Sequence, residues 1–531
     1  MMFDLVVIGG GMGGLATAAL SQSLGMRTCL LEAHTKLGGC AGYFRRGPYT
    51  FDAGATALMG LREGEPLGDL LRTLRVDFET AETSAYRVHL PDRSIDVVSN
   101  PTRFLDEVRR VFSGGDRLAE ARKRFWTLQG FVGSALFQAA SGVPRLPLRA
   151  FRDLPHNLRI LGVRGLLAAA TSVLTVDHVL GILGLRNDRE FRSWVAMLLQ
   201  DTAQAGPETV PFANAAACLQ AYRLGMSRPR GGMRALVDGI GQAFVRDGGD
   251  LRTAALVDHV EFAANHHSGG SSSPGFEVTT RRRERLQARQ VVFNLPLDLA
   301  ARLLGRPLEG RLAAYERRSR AAWSAFTGYV AIDRSAISDE TPLFHQVLQS
   351  YDQPIHDGNN VLISLSAPDD EGYGPPEVRL ATLSTHTRPS DWVGLGTTEY
   401  QLKKAQFRDR LLSAIRRALP GAEASLVHAE FASPRSFQRY TRRQQGAVGG
   451  PPVRRSTSNF LAVGSDVLGP GLWLVGDSVF PGQGTMATVL SAIRVVERIS
   501  GLAWDQIRAA PPAAKVWHAR LSSDGLVPAR N

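Results

Sequence analysis

Gly9-Gly10-Gly11-Met12-Gly13-Gly14 is a stretch of backbone almost without side chains, and bare backbone amides are what a diphosphate binds. It follows Phe3 to Ile8, an apolar run broken only by Asp4, which reads as a buried parallel strand. Met12, Leu15, Ala16, Ala19, Leu20 and Leu24 then recur at helical spacing until Gly25, a C-terminal cap. A second strand, Arg27 to Leu31, ends at Glu32. Each part has a task. Gly9 makes the tight turn, Gly11 lets the chain approach a pyrophosphate, and Gly14 lets helix and strand pack with no side chain between them. The helix start offers free N–H groups and the positive end of a dipole. Glu32 sits where a carboxylate accepts hydrogen bonds from ribose hydroxyls. This is the chemistry of dinucleotide binding.

The segment after Glu32 narrows the dinucleotide. Leu37-Gly38-Gly39-Cys40-Ala41-Gly42 comes directly after the acid, where an NAD enzyme would enter another helix. The order is similar to that of the large FAD-enzyme families, where a second glycine pair follows the acid and runs along the cofactor, so FAD is the dinucleotide this resemblance implies. Cys40 reads as a small residue packed near that cofactor, not as a covalent flavin link or redox thiol. Near the other end, Gly471 to Val475 reads as a buried strand that runs into Gly476-Asp477-Ser478 and Phe480-Pro481-Gly482-Gln483-Gly484, before a helix over 485–499. Gly476 permits close approach, and Asp477 can accept from ribityl hydroxyls. The helix start at Gly484, Thr485 and Met486 can face the flavin pyrimidine edge, where its dipole favours negative charge on the reduced ring. Between these segments, Gly231-Gly232-Met233 leads into a helix over 234–245, Gly248-Gly249 turns the chain, and one strand over 251–262 carries Val257 at its centre. Val291 to Pro296 reads as the strand returning to the sheet.

Together, Gly9 to Gly14, Gly38-Gly39, Phe51-Asp52-Ala53-Gly54-Ala55-Thr56, Gly231-Gly232-Met233 and Val475 to Gly484 resemble the carotenoid desaturase and isomerase family, from residue 3 to about residue 500. The resemblance implies an α/β fold: a Rossmann-like FAD-binding domain of the amine-oxidase-like type, with an inserted α+β substrate domain. It places the cofactor domain at 1–75, 226–300 and 455–502, a substrate- and membrane-facing domain at 76–225 and 301–454, and a tail with little pattern at 503–531. It gives the backbone at Val257 a contact with the adenine. The activity it implies is FAD-dependent desaturation, or cis/trans isomerisation, of a long polyene. Residues 480–484 look like the carotene isomerases and the C-3',4' desaturases, and 51–56 look closer to the latter, whereas Thr485-Met486-Ala487-Thr488 fits neither. Two other readings share the scaffold: an amine or porphyrinogen oxidase, and a prenyl-binding escort without flavin. The intact glycines, Glu32 and Gly476-Asp477 argue against the escort.

The 531 residues are 44% hydrophobic and 21% charged, enough for a large core. The net charge of +12 comes without a zinc finger, an RNP-like strand or a basic heptad helix, which argues against nucleic acid. Attraction to anionic lipid and a merely solvated surface remain. Cys29, Cys40 and Cys218 form no CxxC pair, and no signal peptide is legible, so reduced thiols on the cytoplasmic side are expected. The most apolar stretch, Asn157 to Leu185, is broken by Arg159, Arg164, Asp177 and His178 and reads as a buried or interfacial helix. The apolar stretches Phe131 to Ala140 and Phe191 to Leu199 read residue by residue as domain core, and together could line a tunnel for a long hydrocarbon or dock peripherally on the inner membrane face. Residues 265–275 read as a hairpin loop, and His266-His267 lack a third ligand, so no metal is expected. Arg281-Arg282-Arg283 reads as a solvated strand edge. No catalytic side chain is assigned: Asp52, Arg223 and His345 are conceivable, and each reads better as structural.

Overall fold

The computed structural model describes residues 2–148, 151, 153–266, 272–319 and 323–510. One seven-stranded sheet forms around strand Met2–Ile8, which runs parallel to Thr28–Leu31 on one side and Arg285–Phe293 on the other. Asp250–Arg252 extends the parallel part beyond Thr28–Leu31, and Leu472–Leu474 pairs with the end of Arg285–Phe293. Val257–His266 and Ser272–Thr280 add an antiparallel flank. Helix Met12–Ser23 is buried from Met12 to Ser21, because Thr485–Ser500 and Met233–Arg246 pack against it and the sheet lies beneath it. Gly25 ends it in the left-handed region at φ 86°, with its N–H donated to the Gln22 carbonyl.

Two expectations need correction. The single strand expected over 251–262 is two strands, Asp250–Arg252 and Val257–His266. The amides of Ala254 and Ala255 donate to the carbonyls of His34 and Glu32, which pulls the chain out of strand geometry between them. The hairpin is also longer than read, with Val257–His266 pairing against Ser272–Thr280 across much of the expected loop, and His267 lies outside the described residues. Beyond Gly501 the chain forms a further helix, Trp504–Ala509, which buries Trp504 and Ile507 in the core of the first sheet.

A second seven-stranded sheet runs in the order Leu426–Ala432, Ser324–Asp333, Val378–Thr387, Asn360–Leu365, Phe344–Leu348, Tyr86–His89, Ser94–Val97. Helix Thr397–Ala418 covers part of it through Phe407, Leu411 and Ile415, which pack with Phe326 and Trp392. Helices Gly115–Ser141, Arg189–Thr202 and Phe212–Leu224 build another core on Trp126, Phe191, Trp194 and Phe212, continuous with Tyr86 and Phe344 of the sheet. The stretch from Asn157 to Leu185 is three pieces: helix Asp153–Ala170, bent where Gly162 takes φ 54°, a turn over Thr171–Val173, and helix Val176–Ile182. Among the described residues no helix is long and apolar enough to cross a membrane. A two-stranded link, Thr80–Glu82 with Ser227–Pro229, ties the segments bearing the two sheets.

Candidate active site

The glycine turn closes as its sequence demands. Gly9 takes φ 101° and donates to the Leu31 carbonyl at 2.8 Å. A Cβ on Gly14 would lie 2.1 Å from the Gly9 carbonyl oxygen, so helix and strand touch backbone to backbone there. A Cβ on Gly13 would lie 2.9 Å from the Gly476 nitrogen. The two glycine motifs, from opposite ends of the chain, are therefore in direct contact. The Gly38 amide donates to the Gly10 carbonyl at 2.8 Å, which lays the second glycine pair along the first.

The acid holds this loop. Glu32 Oε2 accepts from the Gly10 amide at 2.6 Å and Oε1 from the His34 amide at 2.7 Å. Burial pushes its carboxyl above the usual range, and those amides pull it back. A carboxylate offers about four acceptor positions, so two remain for a ligand. Val257, with Ala255 and Leu256, lines the same end of the cavity. Gly484 caps helix Thr485–Ser500 at φ 99°, and Thr485 and Met486 reach the cavity wall.

Asp477 is less free than its sequence position indicates. Arg443 Nη2 donates to its Oδ1 at 2.9 Å and lies 2.8 Å from Oδ2. Arg443 was not legible as a site residue, because Thr441-Arg442-Arg443-Gln444 looks like any basic loop until the fold brings it onto the cavity. Asn294 was also missed. Its side-chain amide donates to the Gly9 carbonyl at 3.3 Å, and a Cβ on Gly476 would lie 2.5 Å from its Oδ1, so it joins the two loops. The only sequence signal was a polar residue ending the buried strand that precedes it.

Asp52, Arg223 and His345 lie elsewhere. Asp52 is in a buried ion pair with Arg228 at 3.0 Å. The Arg223 guanidinium sits 3.6 Å from the Phe104 ring centre, and burial lowers it to about 10. His345 stacks on His89, with ring nitrogens 3.1 Å apart, and burial lowers it to about 3. None of the three lines the cavity. Burial pushes the Cys29 and Cys218 thiols up to about 12 and raises Cys40, which suits inert packing.

The glycine loops at Gly9 to Gly13, Gly38-Gly39 and Gly476 to Gly484 open on one cavity of 1620 Å³, whereas Gly231-Gly232 and Gly248-Gly249 lie off it. Ordinary ligand pockets take roughly 300–1,000 Å³, so this one has room for a dinucleotide and a second molecule. Away from the loops its walls are Leu136, Phe137, Leu154, Leu158, Leu161 and Leu166, from helices Gly115–Ser141 and Asp153–Ala170.

A cradle of glycines this close to one another, an acid at the strand tip and a cavity roomier than a dinucleotide alone needs are features of a flavin enzyme. The chain belongs to the flavin containing amine oxidoreductase family, whose pattern it matches over residues 12–500. It is an FAD-dependent oxidoreductase, and carotenoid desaturases and isomerases are among its relatives. It is 22% identical over 514 residues to the chloroplastic prolycopene isomerase of Arabidopsis thaliana, covering 94% of this chain and 83% of that protein. It is 25% identical over 528 residues to the lycopene-forming phytoene desaturase of Pseudescherichia vulneris, covering 92% and 98%. In fold it is similar to cyclohexylamine oxidase from Brevibacterium oxydans, with a TM-score of 0.59 and 15% identity over 98% of this chain and 100% of that one.

Proposed function

We propose that this oxidoreductase acts on a carotenoid, desaturating or cis/trans-isomerising a long polyene in carotenoid biosynthesis, while docked on the inner face of a membrane. The observation that carries the reading is the single cavity that joins the glycine loops to the apolar walls of helix Asp153–Ala170. A hydrocarbon offers no charged handle, so it is held by shape and by roughly 25 cal/mol per Å² of buried apolar area. The names of the two carotenoid relatives support the same substrate class.

In this reading Gly9, Gly11, Gly38 and Gly39 line the diphosphate, Gly14 seats the helix whose start faces it, Glu32 holds the ribose, and Val257 backs the adenine. Gly476, Asp477, Gly484, Thr485 and Met486 border the flavin. Bound FAD supplies a two-electron acceptor at the ring. The chain's own residues fix the polyene against it and exclude water. Glu32→Ala removes the acceptors for both ribose and loop. Hydrogen bonds to a charged group are worth about 1.5–3 kcal/mol, so the FAD dissociation constant should rise about ten- to a hundredfold, read by flavin fluorescence titration. An unchanged constant would remove Glu32 from the site.

The same helix and its flanks present apolar side chains outward. Phe151 is 96% exposed, Val163 76%, Leu167 58%, and Val173 and Ile182 of the segments after the helix are 70% and 74% exposed. Arg159 and Arg164 stand exposed among them, which suits an anionic lipid surface. Replacing Phe151, Val163 and Leu167 by Asp should abolish flotation with phosphatidylglycerol vesicles while FAD content stays at one per chain. Undiminished flotation would place membrane contact elsewhere.

The function is tested by expressing the chain in a lycopene-accumulating bacterial host and analysing pigments by chromatography, absorbance and mass. Loss of two hydrogens with a red-shifted spectrum means desaturation, and a changed isomer pattern at constant mass means isomerisation. Unchanged pigment beside a yellow, FAD-loaded protein would overturn lycopene as the substrate. The likeness in fold to cyclohexylamine oxidase favours a second reading, amine oxidation. Peroxide release with alkylamines by the purified protein would establish it.

A further inference from the structure

Helix Arg189–Thr202 carries the apolar run Met197 to Leu199 into the core, and its last turn brings Asp201 and Thr202 to the cavity wall. Asp201 is a carboxylate among apolar neighbours: Ala213, Ala217, Cys218 and Ala221 of helix Phe212–Leu224 line the same wall. Its Oδ2 accepts from the Tyr222 hydroxyl at 2.9 Å. Tyr222 packs edge-on against Tyr86, with ring centres 4.7 Å apart. Tyr86 donates to Gln346 Oε1 at 2.9 Å, and Gln346 donates to Asn360 Oδ1 at 3.0 Å. A buried polar chain thus runs from the cavity into the second sheet and ends in uncharged amides.

No cation on the elements packed around Asp201 is turned to it: Arg223 of helix Phe212–Leu224 lies over the Phe104 ring, and Arg87 of strand Tyr86–His89 pairs with Asp96. Helix Phe212–Leu224 offers Tyr222 and Cys218, and strand Tyr86–His89 offers Tyr86. The turn before helix Thr485–Ser500 offers Gln483, whose side-chain amide donates to the Thr202 carbonyl at 2.5 Å. Among the described residues no cation pairs with Asp201. Burial pushes its carboxyl above the usual range, and the Tyr222 hydrogen bond pulls it back. An unpaired carboxyl in an apolar wall costs free energy, and such groups concentrate at functional sites. Gln483 belongs to the segment that borders the flavin, so it fastens the Asp201 turn beside the place where the polyene meets the ring.

We propose that Asp201 is the proton acceptor of this cavity, and that Tyr222 is the positioning residue that holds it. The assignment rests on the polyene reading above, in its desaturating form. One allylic C–H bond breaks and its hydride passes to FAD, the oxidant. The neighbouring C–H bond breaks, its electron pair forms the new C=C bond, and its proton passes to an Asp201 oxygen. The neutral acid then returns the proton to solvent. Conjugation spreads the positive charge between the two events, and the carboxylate stabilises it from the wall.

Asp201→Asn keeps an oxygen for Tyr222 and removes the base. Positioned bases contribute about 10²–10⁴-fold, so conversion in the lycopene-accumulating host should fall by that factor, with FAD per chain and co-purifying carotenoid per chain unchanged. Tyr222→Phe removes a bond that favours the carboxylate, so the rising limb of the kcat/KM pH profile should move to higher pH. The infrared carbonyl band of a protonated carboxyl, followed by acid titration without substrate, should be absent in Asp201→Asn and move the same way in Tyr222→Phe. If wild type desaturates and Asp201→Asn matches it, the assignment of Asp201 is wrong while the polyene reading stands. If wild type removes no hydrogens from any supplied polyene, the desaturation on which this role depends is wrong, and the role falls with it.

Discussion

Gly14→Ala should yield a chain that purifies without its yellow colour. The added Cβ would lie 2.1 Å from the Gly9 carbonyl oxygen and 2.8 Å from Asn294 Cβ. The first is backbone of the turn itself, so no side-chain rotation relieves it. Relief requires helix Met12–Ser23 to move off strand Met2–Ile8, which opens the cradle at both Gly9 and Asn294. Overpacking in a well-packed site costs typically about 1–3 kcal/mol and occasionally more. In the proposed site the full cost falls on the loop assigned to the diphosphate, so FAD affinity should fall at least about tenfold, the equivalent of ~1.4 kcal/mol. Gly130 is the control. It lies within helix Gly115–Ser141, and a Cβ there meets nothing within 4 Å. Glycine is about 0.8–1.0 kcal/mol worse than alanine in a helix interior, so Gly130→Ala should stabilise the protein and leave flavin content unchanged. Absorbance at the flavin maximum per chain, with thermal unfolding of each variant, separates the two. Full flavin occupancy in Gly14→Ala would mean that backbone contact at this point is not what shapes the site.

The contrast between Gly14 and Asp201 marks what sequence could convey. The strand, glycine turn and helix over 2–23 were legible because each signal is local: an apolar run, glycines where side chains cannot fit, and apolar residues at helical spacing. Gly476 to Met486 was legible for the same reason. The break between Arg252 and Val257 was not, because it is imposed by the carbonyls of Glu32 and His34, far away in sequence, on a segment whose own composition favours a continuous strand. The order of the second sheet was equally hidden, since Tyr86–His89 joins Phe344–Leu348 across about half of the chain. Arg443 and Asp201 acquire meaning only from partners, Asp477 for the one and Tyr222 for the other, that the fold delivers. Asp52 shows the converse: its motif carries family resemblance, and its role emerges as architectural.

Removing the charge from Arg228 alone should take away much of the protein's stability margin. Arg228 and Asp52 have side-chain exposures of 1% and 0%, and their ion pair spans 3.0 Å. Asp52 Oδ2 also accepts from Tyr373 at 2.9 Å, and Oδ1 accepts the first amide of helix Met233–Arg246, from Met233, at 2.8 Å. Arg228 donates onward to Tyr373 and to Ser364. The cluster thus fastens strand Tyr49–Asp52, the start of the helix that packs on Met12–Ser23, and the second sheet at one point. Arg228→Met leaves a buried carboxylate whose other donors are uncharged. Breaking such a pair costs about 3–5 kcal/mol, whereas replacing both partners by apolar residues is often near neutral. Arg228→Met should therefore lose about that much in urea unfolding at neutral pH, and Arg228→Met with Asp52→Leu should recover most of it. Acidity gives a second handle. Burial pushes the Asp52 carboxyl up while Arg228 and the Met233 amide pull it back. Without Arg228 the folded value rises further above the unfolded one, so the folded state binds the extra proton. The stability of Arg228→Met should accordingly be highest, and its deficit against wild type smallest, in acid below the unfolded carboxyl value. The deficit should grow as pH rises through the folded value and then level off. A deficit that is flat with pH, or below ~1 kcal/mol at pH 7, would mean that solvent or a rearranged side chain already compensates Asp52.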